Sequence, residues 1–148
     1  MRGRLIRTLI VAGLLAACAP SSEGPGAIVW DRDVCERCQM VISEPADAAQ
    51  LRSAHDHRLH FFDDLGCALL WEEEQASAGK RIEEFWVSNP SGEGWLNAKQ
   101  ARYSAGHRTP MDHGFRASDA SGAPGELDLE QVRQRVIGMD RERRSTRR

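Results

Sequence analysis

The order strand, strand, helix occurs twice along this chain, and that repetition limits the folds that it can adopt. The first copy has β-prone residues at 48–53 and 59–62, followed by a helix from about Leu65 to Ala76. Two aspartates, Asp63-Asp64, stand just before this helix. They are suitable N-cap residues, because a carboxylate accepts hydrogen bonds from the free N–H groups of the first turn.

The second copy is looser. Phe85-Trp86-Val87 and the stretch 95–103 are candidates for strands, and residues 114–117 are a shorter one. A second helix is predicted after Asp128, which starts a near capping box, and Gly138 is its predicted end. Two copies of similar length predict an α+β fold built from two small homologous β/α units.

The N-terminus has the features of a secretory signal in residues 1–17. Three arginines precede an apolar run that is too short to span a bilayer. The run ends in Leu15-Ala16-Ala17-Cys18, which resembles a bacterial lipoprotein box, in which cleavage precedes the cysteine and its sulfur is acylated. Acyl chains would anchor the chain at about 0.8 kcal/mol per buried CH₂, and Cys18 would then not be a ligand. An ordinary signal peptide with an accidental cysteine is the alternative.

The remaining residues divide into four parts. Residues 18–27 are the lipidated cysteine and a flexible tether rich in Pro, Gly and Ser. Residues 28–80 are the first β/α unit and residues 81–138 the second. Residues 139–148 are a basic tail, which is expected to be solvated and disordered. Contact of this tail with anionic lipid or an acidic partner is the alternative.

The charge of the chain excludes a class of partner. It has 20 Lys and Arg against 22 Asp and Glu, a net charge of −2. Removal of residues 1–17 takes away three arginines and no acid, so the net charge becomes about −5. Affinity for nucleic acid depends on cationic side chains that neutralise phosphates. The sequence therefore predicts no nucleic-acid binding.

Two short motifs rich in soft donors lie far apart in the chain. They are Cys35-x-x-Cys38-x-Met40 and Met111-x-His113. Residues i and i+2 of an extended segment project to one face, so each motif could aim two donors at one point. Thiolate, thioether and imidazole suit Cu(I) far better than Mg²⁺ or Ca²⁺. Methionine also forms no disulfide, so it keeps its affinity for Cu(I) outside the cytosol.

The cysteines allow other interpretations. Cys35 and Cys38 could be a thiol–disulfide redox centre, although they precede the β-prone Met40-Val41-Ile42 instead of opening a helix. Cys35, Cys38 and Cys67 with a histidine could bind zinc, or any two of these thiols could form a structural disulfide. For Cys67, inside the predicted helix, the favoured interpretation is a buried, inert thiol.

A further histidine cluster spans the turn between the first two predicted strands. It consists of His55, His57 and His60. Such a cluster could be an accessory metal site, but exposed histidines are common in turns, and the solvated turn is the favoured interpretation.

Four segments, taken in order, resemble the NosL family, the copper-binding lipoproteins of nitrous oxide reductase gene clusters. They are Cys18, the motif at 35–40, Phe61-Phe62-Asp63-Asp64-Leu65-Gly66-Cys67, and Thr109-Pro110-Met111-x-His113-Gly114. The resemblance implies two small homologous domains of ββαβ type. It also implies a Cu(I) chaperone, not an enzyme, that helps to assemble the copper centres of periplasmic nitrous oxide reductase.

Carried over by position, the resemblance implies Cu(I) ligands at Cys35, Cys38, Met40, Met111 and His113. The implied partners are apo nitrous oxide reductase or its membrane-bound maturation complex, and the lipid bilayer through the acylated cysteine. The implied location is a membrane facing the periplasm. Because the residue after the lipid cysteine is alanine and not an acid, the outer membrane is favoured over the inner one.

The chain departs from the family pattern at two positions. Gln39 and Asp112 stand where the family motifs have glycine. Each change removes a residue that adopts positive φ without strain. Asp112 also places a carboxylate beside the predicted site, which would favour a cation.

Overall fold

The computed structural model describes residues 23–91, 93–118 and 126–147. The predicted signal peptide, residues 1–17, and the predicted lipidation site, Cys18, lie outside these ranges. Within them, no helix combines the length and the apolar composition needed to cross a membrane. The elements, in chain order, are β1 (Ala49–Ser53), β2 (Leu59–Phe62), α1 (Leu65–Ser77), β3 (Ile82–Ser88), β4 (Trp95–Asn97), β5 (Arg102–Ala105), β6 (Phe115–Ser118) and α2 (Leu129–Thr146). The predicted α+β class is confirmed.

The larger sheet has the strand order β2-β1-β3-β4, and every neighbouring pair is antiparallel. Of its two inner strands, β1 is buried along its whole length. Ala49 pairs with Phe62 of β2 on one side and with Val87 of β3 on the other. The segment β1-β2-α1-β3 is therefore a ββαβ arrangement. The unit boundary predicted at residue 80 divides this sheet, because β3 follows it in the chain and pairs with β1.

Helix α1 begins directly after Asp63 and Asp64, where the chain turns from β2 into the helix. Asp64 is its N-cap and accepts a hydrogen bond from the Gly66 backbone N–H at 2.7 Å. Every residue from Leu65 to Trp71 is buried, whereas most of the second half of the helix is exposed. The first two turns of α1 are therefore inserted into the core with the Asp63-Asp64 corner, and the predicted helix is confirmed.

The second, smaller sheet consists of β5 and β6, and α2 packs near it. The predicted capping box at Asp128 is present, and Val132 and Val136 are fully buried on one face of α2. The predicted end at Gly138 is wrong, since α2 continues to Thr146. Contacts outside its own backbone hold the extra turns, including an ion pair between Asp140 and Arg37.

Candidate metal site

The first soft-donor motif forms a tight hairpin beside β2. A bridge joins Val34 to Val41, and the Cys35 N–H donates to the Met40 carbonyl at 2.8 Å. The Glu36 N–H donates to the Phe61 carbonyl at 2.9 Å and so attaches the hairpin to the end of β2. The predicted strand at residues 40–42 is therefore only an isolated bridge within this turn.

The hairpin brings three thiols and one carboxylate together. The donor atoms of Cys35, Cys38, Cys67 and Asp63 all lie within 4.8 Å of one another. Cys35, Cys67 and Asp63 are almost completely buried, Cys38 is partly exposed, and the three thiols are free. We call this group the thiol cluster. Its spacing suits a single metal ion without a large rearrangement of the backbone.

Asp63 is incompletely bonded inside this cluster. The Cys38 thiol donates to its Oδ2 atom at 3.2 Å. Its Oδ1 atom is buried and has no hydrogen-bond partner in the described residues. A buried acceptor without a partner is costly, so a cation or a proton brought close to Asp63 would be stabilised.

The three thiols differ in acidity. A hydrogen bond from the Cys67 thiol outweighs burial and lowers the pKa of Cys35 to about 7. Burial raises the pKa of Cys38 to about 12. The hydrogen bond to Cys35 and burial both raise the pKa of Cys67 above its ordinary value. Without metal near neutral pH, the cluster therefore shares one readily formed thiolate, and a metal must displace protons from the other two sulfurs.

The second soft-donor motif is held by the neighbouring aspartate. Asp64 accepts from the Met111 backbone N–H at 3.1 Å and from His113 Nδ1 at 2.9 Å, and His113 is buried. Burial acts to raise the pKa of Asp64, but the hydrogen bond and charge of His113 outweigh it and lower that pKa. In the neutral ring with Nδ1 donating to the carboxylate, Nε2 is the nitrogen left to accept or to bind a metal. We call residues 109–114 the Met–His loop.

The two motifs therefore meet the same corner through adjacent aspartates, Asp63 for Cys38 and Asp64 for the Met–His loop. His113 is nevertheless not one of the donors within 4.8 Å of the thiol cluster. Met40 is 48% exposed and lines a cavity of about 610 Å³ with Pro110, whereas Met111 lines a second cavity. The predicted set of five ligands thus divides between the thiol cluster, its exposed edge and the Met–His loop, and its joint binding of one ion stays a prediction.

The extended backbone that the i and i+2 reasoning assumes is absent from both motifs, although Met111 and His113 still line one cavity. Gln39 has φ of 63° and Asp112 has φ of 56°, so the middle residue of each motif is left-handed and not extended. In consequence Cys38 turns inward to Asp63 while Met40 turns outward to solvent.

Asp63 was not predicted as a ligand, and Cys67 was predicted as one only in the zinc alternative. Cys67 is buried, as expected, but its sulfur lies close to that of Cys35. Asp63 precedes the helix and also contributes a carboxylate to the thiol cluster. The signal that could have found them is their spacing: residues i and i+4 lie on one side at the start of a helix. Asp63 and Cys67 have that spacing.

The histidines of the β1–β2 turn do not add to this site. His57 is exposed and pairs with Glu83 at 2.9 Å, while His60 stacks on Trp71 with ring centroids 4.5 Å apart. In the described ranges no group of metal donors includes His55, His57 or His60. An accessory metal role for them has no support from the geometry.

Comparison with known proteins gives one informative likeness. Neither a family model nor a curated protein matches the sequence. Among solved structures, the copper chaperone NosL from Shewanella denitrificans matches with a TM-score of 0.54. The chain has a NosL-like fold. The match covers 74% of this chain and 86% of the NosL chain, at 15% sequence identity, so the likeness is one of fold. The NosL resemblance predicted from ordered motifs is confirmed at this level.

Proposed function

We propose that this chain is a Cu(I)-binding lipoprotein of the periplasm that delivers copper for the assembly of nitrous oxide reductase. The observation that carries the proposal is the convergence of three free thiols within 4.8 Å beside two methionine-bearing motifs. The NosL-like fold supports it, since the matched protein is a copper chaperone. In this proposal Cys18 is the acylated anchor, and the outer membrane is favoured over the inner one.

The donor chemistry favours Cu(I) over other cargo. Cu(I) is a soft ion, and thiolate and thioether are its preferred protein ligands. Cys35, Cys38 and Cys67 would hold the ion, with Asp63 beside them. Met40, Met111 and His113 are the additional donors that the motifs predict.

Delivery requires no reaction of the protein itself. Cu(I) would pass to the recipient by exchange of one ligand at a time, without a change of oxidation state. Cys38 and Met40 are the accessible donors on the first motif, while Cys35 and Cys67 are enclosed. A recipient ligand would therefore replace the outer donors first, and the buried thiols would release the ion last.

An anaerobic Cu(I) titration of the purified reduced chain tests this function. Competition against a high-affinity Cu(I) chelator should give tight, stoichiometric binding, with much weaker binding of Zn²⁺. Replacing Cys38 by Ser should weaken binding strongly, because its sulfur is one of the three that converge within 4.8 Å. Binding of Cu(I) no tighter than in a chain without Cys35, Cys38 and Cys67 would refute the proposal.

A zinc-stapled structural lipoprotein is the second candidate, because three sulfurs and a carboxylate are also a suitable donor set for Zn²⁺. It predicts preference for Zn²⁺ in the same titration and loss of folding on chelation.

A thiol–disulfide oxidoreductase using Cys35 and Cys38 is less well supported. The lowered pKa of Cys35 favours it, but Cys35 is fully buried, whereas an attacking thiolate must reach its substrate. Turnover in an insulin-reduction assay without metal would revive it.

A further inference from the structure

The C-terminal turns of α2 overhang the Met–His loop. Arg143 and Arg147 follow the buried Val136 by seven and eleven residues. At this spacing they lie on the same side of the helix as Val136. Arg143 donates to the carbonyl of Met111 at 3.1 Å and to that of Asp112 at 2.8 Å. The helix face that packs in the core thus continues as a basic surface over the second soft-donor motif.

A cavity of about 370 Å³ lies under this overhang, and we call it the basic cavity. Asp140 pairs with Arg37 and with Arg144. In the part of the chain that the structure describes, neither Arg143 nor Arg147 is ion-paired with a carboxylate. The lining includes Met111 and His113 together with four arginines, Arg37, Arg143, Arg144 and Arg147.

The hairpin that contributes Arg37 to this cavity also has exposed apolar side chains. Arg37 of the first hairpin lines the basic cavity. Three side chains of the same hairpin, Val34, Met40 and Val41, are each nearly half exposed. With Val29 and Trp30 they are the exposed large hydrophobic residues of the described chain, so exposure of this kind is confined to residues 29–41. We call this the apolar hairpin face. Clustered exposed apolar groups next to polar ones are typical of protein interaction sites.

We propose that the basic cavity and the apolar hairpin face form one docking surface for an acidic protein partner. The partner would present carboxylates to Arg143 and Arg147 and an apolar contact to the hairpin. This rests on the proposed function, since the occupant would be the copper recipient. The basic cavity has four arginines against one carboxylate, Asp140, so the complementary partner is acidic. A concave site beside exposed apolar side chains suits the protruding carboxylates of a protein better than the flat surface of a bilayer.

Docking there would act directly on the copper ligands. A carboxylate that engages Arg143 competes with the carbonyls of Met111 and Asp112 for the same guanidinium. The Met–His loop would then lose one of its attachments while the partner lies beside it. Binding of the recipient at this surface would therefore loosen the loop that carries Met111 and His113.

The test uses a synthetic peptide of alternating Asp and Leu as the acidic probe, with a Lys–Leu peptide of equal length as its control. In NMR titrations of the whole chain, the acidic peptide should shift signals of Arg37, Met111, Arg143 and Arg147 and of the hairpin, and added salt should weaken it. Arg147→Glu should raise the dissociation constant roughly tenfold. Arg141→Glu is the matched control, because Arg141 is an exposed arginine near the same end of the chain and does not line the basic cavity.

Three results would overturn the proposal: shifts scattered over the chain, equal effects of Arg147→Glu and Arg141→Glu, or retention on phosphatidylglycerol vesicles that depends on Arg147 when the peptide shifts do not. The peptide experiment needs no copper. If peptide docking is as expected but the loaded chain gives no copper to apo nitrous oxide reductase, the proposed recipient fails and the surface stands. If copper passes at the same rate from both charge variants and the peptide does not bind, the surface fails and the function stands.

Discussion

Replacing Gly66 by Ala should detach the Met–His loop from the corner that holds it. A Cβ atom at Gly66 would lie 2.2 Å from Cγ and 2.3 Å from Nδ1 of the His113 ring. These atoms are at the root of the ring and cannot swing aside as the end of a flexible side chain can. Either the helix shifts, or His113 leaves and its 2.9 Å hydrogen bond to Asp64 breaks.

The sizes of the opposing contributions decide whether Gly66→Ala raises or lowers the free energy of unfolding. Alanine is favoured over glycine by up to about 1 kcal/mol in a helix interior, and Gly66 is only in the first turn, where the gain is smaller. Overpacking of a core costs about 1–3 kcal/mol. Loss of a buried hydrogen bond to a charged group costs about 1.5–3 kcal/mol. Since the structure must accept one of these two costs, we expect a net loss of about 1–2 kcal/mol of unfolding free energy.

Urea denaturation of the metal-free, reduced chain measures this loss as a fall in the midpoint of roughly 0.5–1 M. Gly138→Ala is the matched control, because Gly138 is also helical and nothing lies within 4 Å of a Cβ built there. It should stabilise the chain by up to about 1 kcal/mol. If Gly66→Ala is as stable as the unaltered chain while Gly138→Ala gains stability, the close packing of Gly66 on His113 is refuted.

Three further predictions concern the thiol cluster and its exposed edge. Cys67→Ala should weaken Cu(I) binding by more than roughly 10- to 100-fold, which is the cost of losing a residue that only supports a metal ligand. An unchanged affinity in the chelator competition would show that Cys67 is an inert core thiol. Met40→Leu should weaken Cu(I) binding without changing the urea midpoint, because Met40 is 48% exposed. Met139→Leu, in α2, is its control. Equal Cu(I) affinities of the two variants would remove Met40 from the site. The stability of the reduced, metal-free chain should rise from about pH 7 to pH 9 and fall above it. Between these values Cys35 is deprotonated only in the folded chain, and above pH 9 Cys38 keeps its proton only in the folded chain. Urea midpoints across this range should lose the rising limb in Cys35→Ser, and a rise that persists there would contradict the assignment.

Local signals were sufficient for the elements that frame the site. Asp63-Asp64 and Gly79 bracket α1, and the structure starts the helix at Leu65 and ends it at Ser77, one residue beyond the prediction. A carboxylate cap and a glycine of positive φ act on the backbone next to them, so the sequence alone reveals them. The same is true of the capping box at Asp128.

Features that depend on distant partners were not predictable in this way. Gly138 looked like a helix end, but Arg143 further along binds two carbonyls of the Met–His loop and helps to keep α2 helical. Cys67 joins Cys35 because the Glu36–Phe61 hydrogen bond fixes the hairpin beside β2. Neither contact can be predicted from the residues next to it in the sequence, because each joins segments that are far apart in the chain.

The middle residues of the two soft-donor motifs, Gln39 and Asp112, both have a backbone conformation that favours glycine. Left-handed φ costs a non-glycine residue about 1–2 kcal/mol, yet Gln39 and Asp112 both adopt it. The Gln39 side-chain amide donates to the carbonyls of Cys35, at 3.2 Å, and Glu36, at 2.9 Å, and Arg143 donates to the Asp112 carbonyl. The first two bonds require a long polar side chain at residue 39, and the third requires that α2 extend as far as Arg143. These bonds offset the cost of left-handed φ and fix two turns, one beside the Cys38–Asp63 contact and one beside the Met111–Asp64 contact.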